Sequence, residues 1–264
     1  MLASAAVSPV PVTDEQRAYW RDVDAAHFDW QTGGAYIAAS EAALLQCVAL
    51  APGERLLEIG CGEGANLHHL AGRLERQAGE SGLLQAATGA LFGVDFTLGK
   101  ARFAAERTGA RTACADAARL PFCDAAFDAV LVRDLLHHVP DRAAVLVEAR
   151  RVLRPGGRIT AIEPNGRNPL IAAQAAAIRA ERGMLVSTAA RLQDELSRAG
   201  FVAISVERRQ PLPLSRVLLH YKLGAPSLAR RPLVARALDG VERALAILPT
   251  GLWAYLVASA RSPA

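Results

Sequence analysis

The stretch Leu56-Leu57-Glu58-Ile59-Gly60-Cys61-Gly62-Glu63-Gly64 decides the fold. Its first four residues form a short, mainly apolar run that predicts a buried strand, and glycines then follow at every second position. Glycine adopts a positive φ easily and brings no Cβ towards a ligand, so this pattern predicts a tight turn leading into a helix. The free N–H groups at the start of that helix would face a ligand. A strand-helix turn without any ligand is the plain alternative.

Strand-like and helix-like patterns alternate along the chain after this stretch. Such alternation predicts a Rossmann-like α/β fold, in which a mostly parallel sheet carries helices on both faces. The predicted strands are 55–59, 91–94, 111–115, 127–132, 158–162, 201–206 and 252–258, and the predicted helices are 64–77, 98–108, 141–153, 169–182 and 188–199. Two segments depart from the alternation. Residues 13–50 are predicted to be helical with a break at Gly33-Gly34, and residues 210–250 to form a helical insertion before the last strand.

Length and composition indicate one large domain with an appendage. The 264 residues are 52% hydrophobic and 21% charged, a globular balance that excludes wholesale disorder. We divide the chain into an N-terminal helical cap, 1–50, and a ligand-binding domain, 51–264. Basic and acidic side chains interleave, so no nucleic-acid surface is predicted. Arginine supplies nearly all the basic residues, which is typical of a GC-rich bacterial genome.

Nothing in the sequence predicts a metal site, a signal peptide or a membrane-spanning helix. The four cysteines form no CxxC pair, which predicts reduced thiols and no metal site. The N-terminal residues lack the apolar core of a signal peptide, so a cytoplasmic location is expected. The longest uncharged run, between Arg243 and Arg261, contains Pro249-Thr250-Gly251 and predicts two short elements.

Three acidic residues narrow the choice of ligand. Glu58 precedes the first glycine by two residues, where a negative charge would repel a pyrophosphate but attract an ammonium or a sulfonium. Asp95 ends the next strand, where a carboxylate can bind two ribose hydroxyls. Asp116 follows the third strand and could accept a hydrogen bond from an adenine amino group.

These features together resemble the class I S-adenosylmethionine-dependent methyltransferases, of the small-molecule group often called type 11. The matching segments are LLEIGCGEGANL (56–67), FGVD (92–95), ADAARLPF (115–122), FDAVLVRDLLHHV (127–139) and EARRVLRPGGRITAIEPN (148–165). The resemblance implies a seven-stranded sheet whose last strand is antiparallel and lies between the fifth and sixth. It is weakest over the first 50 residues and over 210–250, and residues 78–90 are interpreted as a loop insertion.

The resemblance also implies which residues hold the cofactor, S-adenosyl-L-methionine. Glu58, Gly60 and Gly62 would shape the pocket for its methionine end. Asp95 would bind the ribose, while Asp116 and the backbone of Ala117 would meet the adenine. The carbonyl of Arg133 would meet the ammonium group of the cofactor. The remaining implied contacts are Cys61, which lies between the two glycines, and Phe96, which follows Asp95. Cys61 is interpreted as a small filler of the loop and not as a nucleophile.

The candidate catalytic residues follow the fourth and fifth strands. His137 and His138 could remove the proton of an acceptor hydroxyl, with His138 favoured, or could pack in the core. Glu163 and Asn165 could contact the acceptor, or could serve turn chemistry beside Pro164. The aromatic residues of the cap could close over the substrate or anchor the helices; they are Tyr19, Trp20, Phe28 and Trp30.

The segment 208–243 is strongly basic, with eight basic side chains against two acidic ones. It could be a lid that shapes the acceptor pocket, with His220 and Tyr221 reaching the acceptor. It could instead rest on an anionic membrane, or form a solvated or oligomerising surface.

We therefore predict methyl transfer to a small hydrophobic or anionic molecule, with oxygen favoured as the acceptor atom. Two alternatives stay open. A nicotinamide-dependent oxidoreductase could use the same loop, and a non-catalytic module could bind the cofactor without turnover. Oxygen, nitrogen and carbon methylation share one scaffold, so the sequence leaves the acceptor undetermined.

Overall fold

The computed structural model describes residues 18–51, 53–78, 90–212, 218–222, 224–247 and 249–264. Most of the predicted loop insertion, residues 79–89, lies outside these ranges.

A single seven-stranded sheet organises the described chain, in the order β3-β2-β1-β4-β5-β7-β6. The strands β1 to β5 pair in parallel, while β7 runs antiparallel to both of its neighbours, β5 and β6. The predicted Rossmann-like fold and the position of the antiparallel strand are therefore confirmed. The strands are β1 (Leu56–Ile59), β2 (Leu91–Asp95), β3 (Arg111–Cys114), β4 (Phe127–Arg133), β5 (Leu153–Pro164), β6 (Val202–Arg209) and β7 (Tyr255–Arg261).

Helices cover both faces of this sheet, and two more precede β1. The α-helices are α1 (Ala25–Thr32), α2 (Ala35–Leu44), α3 (Ala65–Ala78), α4 (Leu98–Thr108), α5 (Arg142–Val152), α6 (Pro169–Ala177), α7 (Ala189–Arg198) and α8 (Pro232–Leu245). The predicted break at Gly33-Gly34 separates α1 from α2, since Gly34 has a φ of 68°. Among the described helices none is long and apolar enough to cross a membrane.

Several predicted elements have different limits in the structure. The strand predicted over 158–162 is longer and runs from Leu153 to Pro164. The predicted helix 169–182 ends at Ala177, because Ile178 is extended (φ −112°, ψ 111°), and Arg179–Val186 forms a 3-10 segment. The predicted strand 252–258 begins only at Tyr255, because Thr250–Leu252 still forms a 3-10 turn after Pro249.

The core lies on both sides of the sheet, as the alternation of a strand requires. Leu57 and Ile59 of β1 belong to one apolar cluster, and Leu56 belongs to the other. Glu58 shares the face of Leu56 and is fully buried. A third cluster joins the N-terminal helices to the segment 218–245 through Trp30, Ile37, Leu219 and Leu238.

Candidate active site

One large cavity opens at the carboxyl ends of the parallel strands, where open α/β sheets bind their ligands. Its volume is about 620 Å³. The glycine loop lines one side, and the turn after β4, which contains His137 and His138, lines the other. A ligand at the loop and a second ligand at the turn would therefore share one enclosure.

Backbone hydrogen bonds and close packing fix the glycine loop. Gly60 and Cys61 both donate their N–H to the carbonyl of Val94, at 2.8 and 2.9 Å, which joins the loop to β2. Gly60 has a φ of 77°, and a Cβ there would lie 2.9 Å from a methyl carbon of Leu135. Cys61 is buried against Gly93, in agreement with its interpretation as a filler. The loop therefore presents backbone rather than side chains to the cavity.

Asp95 lies at the end of β2 and lines the cavity. One of its carboxylate oxygens accepts from the N–H of Gly62 at 3.1 Å, and the other accepts from Thr97 at 2.9 Å. Each carboxylate oxygen has two acceptor sites, so both can still accept from a pair of neighbouring hydroxyls. Phe96 follows and is half exposed at the cavity wall.

Asp116 and Ala117 line the same wall, after β3. The Oδ1 of Asp116 accepts from the N–H of Ala118 at 2.9 Å, which holds the turn in shape. The placement of Asp95, Phe96, Asp116 and Ala117 along one wall suits an adenosine.

A buried polar network lies beneath the cavity and was missed by sequence reasoning. Arg133 donates to Asn66 at 2.7 Å and pairs with Glu41 of α2, while Asn66 donates to Glu58 at 2.6 Å. The expected role of Arg133 was its carbonyl, but the structure also gives its side chain this buried position. No sequence signal marks Glu41 or Asn66, because both lie within ordinary helical patterns.

Glu58 forms the innermost part of this network. Burial raises the pKa of its carboxyl to about 8, against the lowering effect of Asn66 and Arg133. Its Oε2 is buried and has no hydrogen-bond partner. A cationic ligand nearby would favour the ionised form, so this residue fits a ligand with positive charge.

Glu163 supports the turn after β4 from below. Its Oε1 accepts from the N–H groups of Leu135 and Leu136 at 2.9 and 2.8 Å. Its Oε2 lies 2.7 Å from Nδ1 of His137. Burial raises the pKa of Glu163, but the charge and hydrogen bond of His137 outweigh it and lower the pKa overall.

The expectation that Glu163 and Asn165 contact the acceptor is corrected by their surroundings. Glu163 is fully buried, with both oxygens engaged by the turn. Asn165 is also buried, and its amide donates to the carbonyls of Gly251 and Trp253 at 3.0 and 2.7 Å. Glu163 therefore positions His137, and Asn165 joins the end of β5 to the turn before β7.

A second carboxylate, Glu181, reaches the histidines from the 3-10 segment. Its Oε2 lies 3.4 Å from Nε2 of His137 and 3.8 Å from Nε2 of His138. We call His137, His138 and Glu181 the histidine cluster. All three line the cavity. Sequence reasoning missed Glu181, which stands 43 positions after His138 in a stretch without any motif.

The two histidines have opposite pKa shifts. Burial would lower the pKa of His137, but the carboxylates of Glu163 and Glu181 outweigh it and raise the pKa to about 10. Burial and the neighbouring His137 lower the pKa of His138 to about 4. The ring of His138 also lies 5.1 Å from that of Trp20, at the cavity wall.

The aromatic residues of the N-terminal segment divide between two roles. Trp20 and Trp30 line the cavity, and Trp30 donates its Nε1–H to the carbonyl of Leu219 at 2.7 Å. Phe28 is buried and packs edge-on against Phe103, so it anchors α1. Tyr19 is exposed.

Fold and site together define a Rossmann-like domain with a cavity wall that suits an adenosine, a buried network around Glu58 beneath it and a second compartment beside them. Residues 57–161 match the family model described as a methyltransferase domain. The chain therefore contains a methyltransferase domain of the class that uses S-adenosylmethionine, and the resemblance inferred from the sequence is confirmed.

Curated relatives match part of the chain. A 27-O-demethylrifamycin SV methyltransferase of Amycolatopsis mediterranei is 58% identical over 45 residues, which are 17% of this chain and 16% of the relative. A demethylmenaquinone methyltransferase of Corynebacterium urealyticum is 36% identical over 114 residues, 43% of each chain. The chain thus covers less than half the length of either relative.

Solved structures share the fold over most of the chain. Phosphoethanolamine N-methyltransferase 2 of Haemonchus contortus, in complex with S-adenosyl-L-methionine, has a TM-score of 0.61 and 20% identity, covering 90% of this chain and 56% of that one. Geranyl diphosphate C-methyltransferase of Streptomyces coelicolor has a TM-score of 0.60 and 17% identity, covering 97% of this chain and all of that one.

Proposed function

We propose that the protein transfers the methyl group of S-adenosylmethionine to a hydroxyl group of a small, largely apolar molecule. The observation that carries the proposal is that one cavity holds both the wall suited to an adenosine and the histidine cluster. The cofactor would lie over the glycine loop, and the acceptor would lie beside the turn after β4.

The transfer itself needs little from the protein beyond alignment and exclusion of water. The acceptor oxygen forms a bond to the methyl carbon while the S–CH₃ bond breaks, and the sulfonium becomes the neutral thioether of S-adenosylhomocysteine. The hydroxyl proton must leave, and the histidine cluster is the group beside the acceptor space that can assist. Such assistance contributes roughly 10²–10⁴-fold to the rate.

The lining of the cavity supports an apolar acceptor. Leu170, Ile171 and Met184 line it, together with Trp20, whose ring lies beside His138. Two relatives, a 27-O-demethylrifamycin SV methyltransferase and a demethylmenaquinone methyltransferase, support the methylation of a small molecule.

The two alternatives have less support. Two residues argue against a nicotinamide-dependent oxidoreductase: Glu58, which would be an unfavourable neighbour for a pyrophosphate at the loop, and Asp116, whose place after β3 suits an adenine amino group. A module that binds the cofactor without turnover would have no need of the buried pair formed by Glu163 and His137.

We propose the same division of the chain, into a cap, residues 1–50, and a domain, residues 51–264. The described part of 210–250 acts as a lid. Tyr221 donates to Asp24 at 2.6 Å, and Lys222 pairs with the same carboxylate at 2.8 Å. His220 lines the cavity. These contacts support closure of the cavity by both segments together.

We also propose that one face of α8 rests on an anionic membrane. Leu233, Ala237, Val241 and Ala244 are exposed and share that face by their helical spacing. The exposed Arg236 lies beside it and would meet lipid phosphates. Co-sedimentation with anionic vesicles should fall for Leu233→Glu. Equal sedimentation of this variant and the unchanged protein would remove the membrane proposal, and the location in the cytoplasm stays a prediction.

The direct test of the proposed reaction is a transfer assay with methyl-labelled S-adenosylmethionine and a panel of apolar phenols and alcohols. We expect labelled ether products that disappear with His138→Ala, while S-adenosylhomocysteine still binds. Label that appears only on amines or on carbon would contradict the choice of oxygen.

A further inference from the structure

The histidine cluster has the composition of a metal site. We propose that His137, His138 and Glu181 bind one divalent transition-metal ion, Zn²⁺ by preference, and that the ion holds the acceptor's hydroxyl. This inference deepens the proposed function and rests on it.

The distances between the candidate ligand atoms suit one ion. Zn²⁺ binds histidine nitrogen and carboxylate oxygen at about 2.0–2.2 Å, so tetrahedral ligand atoms lie about 3.4 Å apart. Nε2 of His137 and Oε2 of Glu181 are 3.4 Å apart, and Oε2 is 3.8 Å from Nε2 of His138. One ligand atom from each residue falls within a group no wider than 4.8 Å. A small rotation of His138, which is partly exposed, would complete the set.

The two innermost ligand atoms are buried and make no hydrogen bond of ordinary geometry. Nε2 of His137 and Oε2 of Glu181 are both inaccessible to solvent, and their contact is the ion-pair distance of 3.4 Å between them. Buried polar atoms without partners are rare in folded proteins, and an absent ion is one of the standard explanations. Both atoms belong to residues that line the cavity.

Glu163 supplies the outer support that a metal-binding histidine needs. Its Oε2 lies 2.7 Å from Nδ1 of His137, so the other ring nitrogen is the one left to bind metal. A carboxylate behind a histidine in this way fixes the orientation of the ring at metal sites, and its loss typically costs 10–100-fold in affinity.

The backbone brings Glu181 into place by an unusually close approach. A Cβ on Gly183 would lie 1.8 Å from the carbonyl oxygen of His137. Only glycine therefore allows the 3-10 segment to lie directly on the turn that carries both histidines. This packing joins residues distant in the sequence into one ligand set.

The set leaves one coordination position open towards the acceptor space. Two histidines and one glutamate are the protein ligands of known catalytic zinc sites, which keep a fourth position for water or substrate. An ion held by these residues would make the acceptor's hydroxyl more acidic, and so ease the loss of its proton to water that methyl transfer to oxygen requires. In this arrangement His138 acts as a metal ligand rather than as the base itself.

The test is binding of Co²⁺ and Zn²⁺ to the chelator-treated full chain. We expect one equivalent of Co²⁺ to give visible d–d absorption without a thiolate charge-transfer band, and Zn²⁺ to displace it. Glu181→Gln should weaken binding at least tenfold. His68→Ala, an exposed histidine on α3, should leave it unchanged. Binding of S-adenosylhomocysteine to each variant reports whether the fold and the cofactor site are intact.

Two results would overturn the inference. One is the absence of stoichiometric binding. The other is binding that Glu181→Gln does not weaken, or that shows a sulfur band and so belongs to Cys114 or Cys123, which are exposed. If S-adenosylhomocysteine binds in those cases, only the metal site fails. If it does not bind to the unchanged protein, the proposed function itself fails.

Discussion

Asp95 is the single residue on which cofactor binding depends most. In our account it accepts two ribose hydroxyls, and hydrogen bonds to a charged group contribute about 1.5–3 kcal/mol each. Asp95→Ala should therefore weaken S-adenosylhomocysteine binding by about 100-fold or more, measured by calorimetry. Asp194→Ala, on the exposed face of α7, is the matched control and should bind normally. Equal affinity of the two variants would contradict the assignment.

Glu58 makes the free energy of unfolding depend on pH, and the sign of this dependence follows from its pKa. Its pKa is 4.5 when unperturbed and about 8 in the folded chain, so the folded state holds a proton that the unfolded state has lost. The contribution of Glu58 to the free energy of unfolding is therefore at its full value below about pH 4.5, and it is lost as the pH rises to 8. The slope reaches about 1.4 kcal/mol per pH unit.

Glu58→Gln tests this sign, because glutamine keeps the shape and cannot ionise. Relative to the unchanged protein, the variant should gain stability steadily as the pH rises from 5 to about 8, measured by urea unfolding. A constant difference across this range would show that Glu58 is ionised in the folded state.

At the scale of elements, the contact between the 3-10 segment and the turn after β4 leaves no room for a side chain at Gly183. In Gly183→Ala the new Cβ would meet the carbonyl of His137, so the segment must move. We expect a loss of stability of about 1–3 kcal/mol and a large loss of methyl transfer. Gly240→Ala in α8 is the control, because a Cβ there meets nothing within 4 Å. It should gain up to about 1 kcal/mol. Equal melting temperatures for the two variants would contradict this view of the contact.

The sequence predicted elements best where local pattern and tertiary context agree. β1, β2 and β4 are buried on both faces and appear as continuous apolar runs, so their positions were clear. The helix predicted over 169–182 was wrong beyond Ala177, because packing on the turn after β4 decides the path of residues 179–186. No local pattern carries that information.

At the scale of the whole molecule, the segment 218–222 meets the N-terminal helices at Asp24, and in our proposal this contact closes the cavity. Tyr221 and Lys222 both contact its carboxylate, and the N–H of Asp24 donates to Glu63 of the glycine loop at 3.0 Å. Closure is thus connected to the loop beneath the cofactor. Lys100 pairs with the same carboxylate oxygen of Glu63, at 3.2 Å.

Tyr221→Phe should loosen this closure while leaving the fold intact. The lost hydrogen bond contributes about 1 kcal/mol, so we expect cofactor affinity to fall several-fold. Hydrogen exchange of residues 24–32 and 218–222 should become faster. Tyr19→Phe, at an exposed ring, should change neither quantity. Unchanged exchange in Tyr221→Phe would show that the two segments close independently.

The site as a whole was only partly predictable, because the local sequence pattern does not show which distant segments pack together. Residues adjacent to the glycine loop and the strand ends, such as Asp95 and His138, follow from the order of elements. Glu41 and Glu181 reach the site through tertiary contacts between distant segments. Glu163 was expected to contact the acceptor, but its carboxylate instead binds the turn after β4. The sequence does not show that this turn folds over Glu163.

The central claim is that the cavity binds an adenosyl cofactor that carries a methyl group. Calorimetric titration of the purified chain with S-adenosylmethionine and S-adenosylhomocysteine, beside NAD and NADP, tests it most directly. We expect one site with micromolar affinity for the two adenosyl ligands and no heat from the nicotinamide ones. Binding of NAD or NADP in place of the adenosyl ligands, or binding of none of the four, would contradict the account.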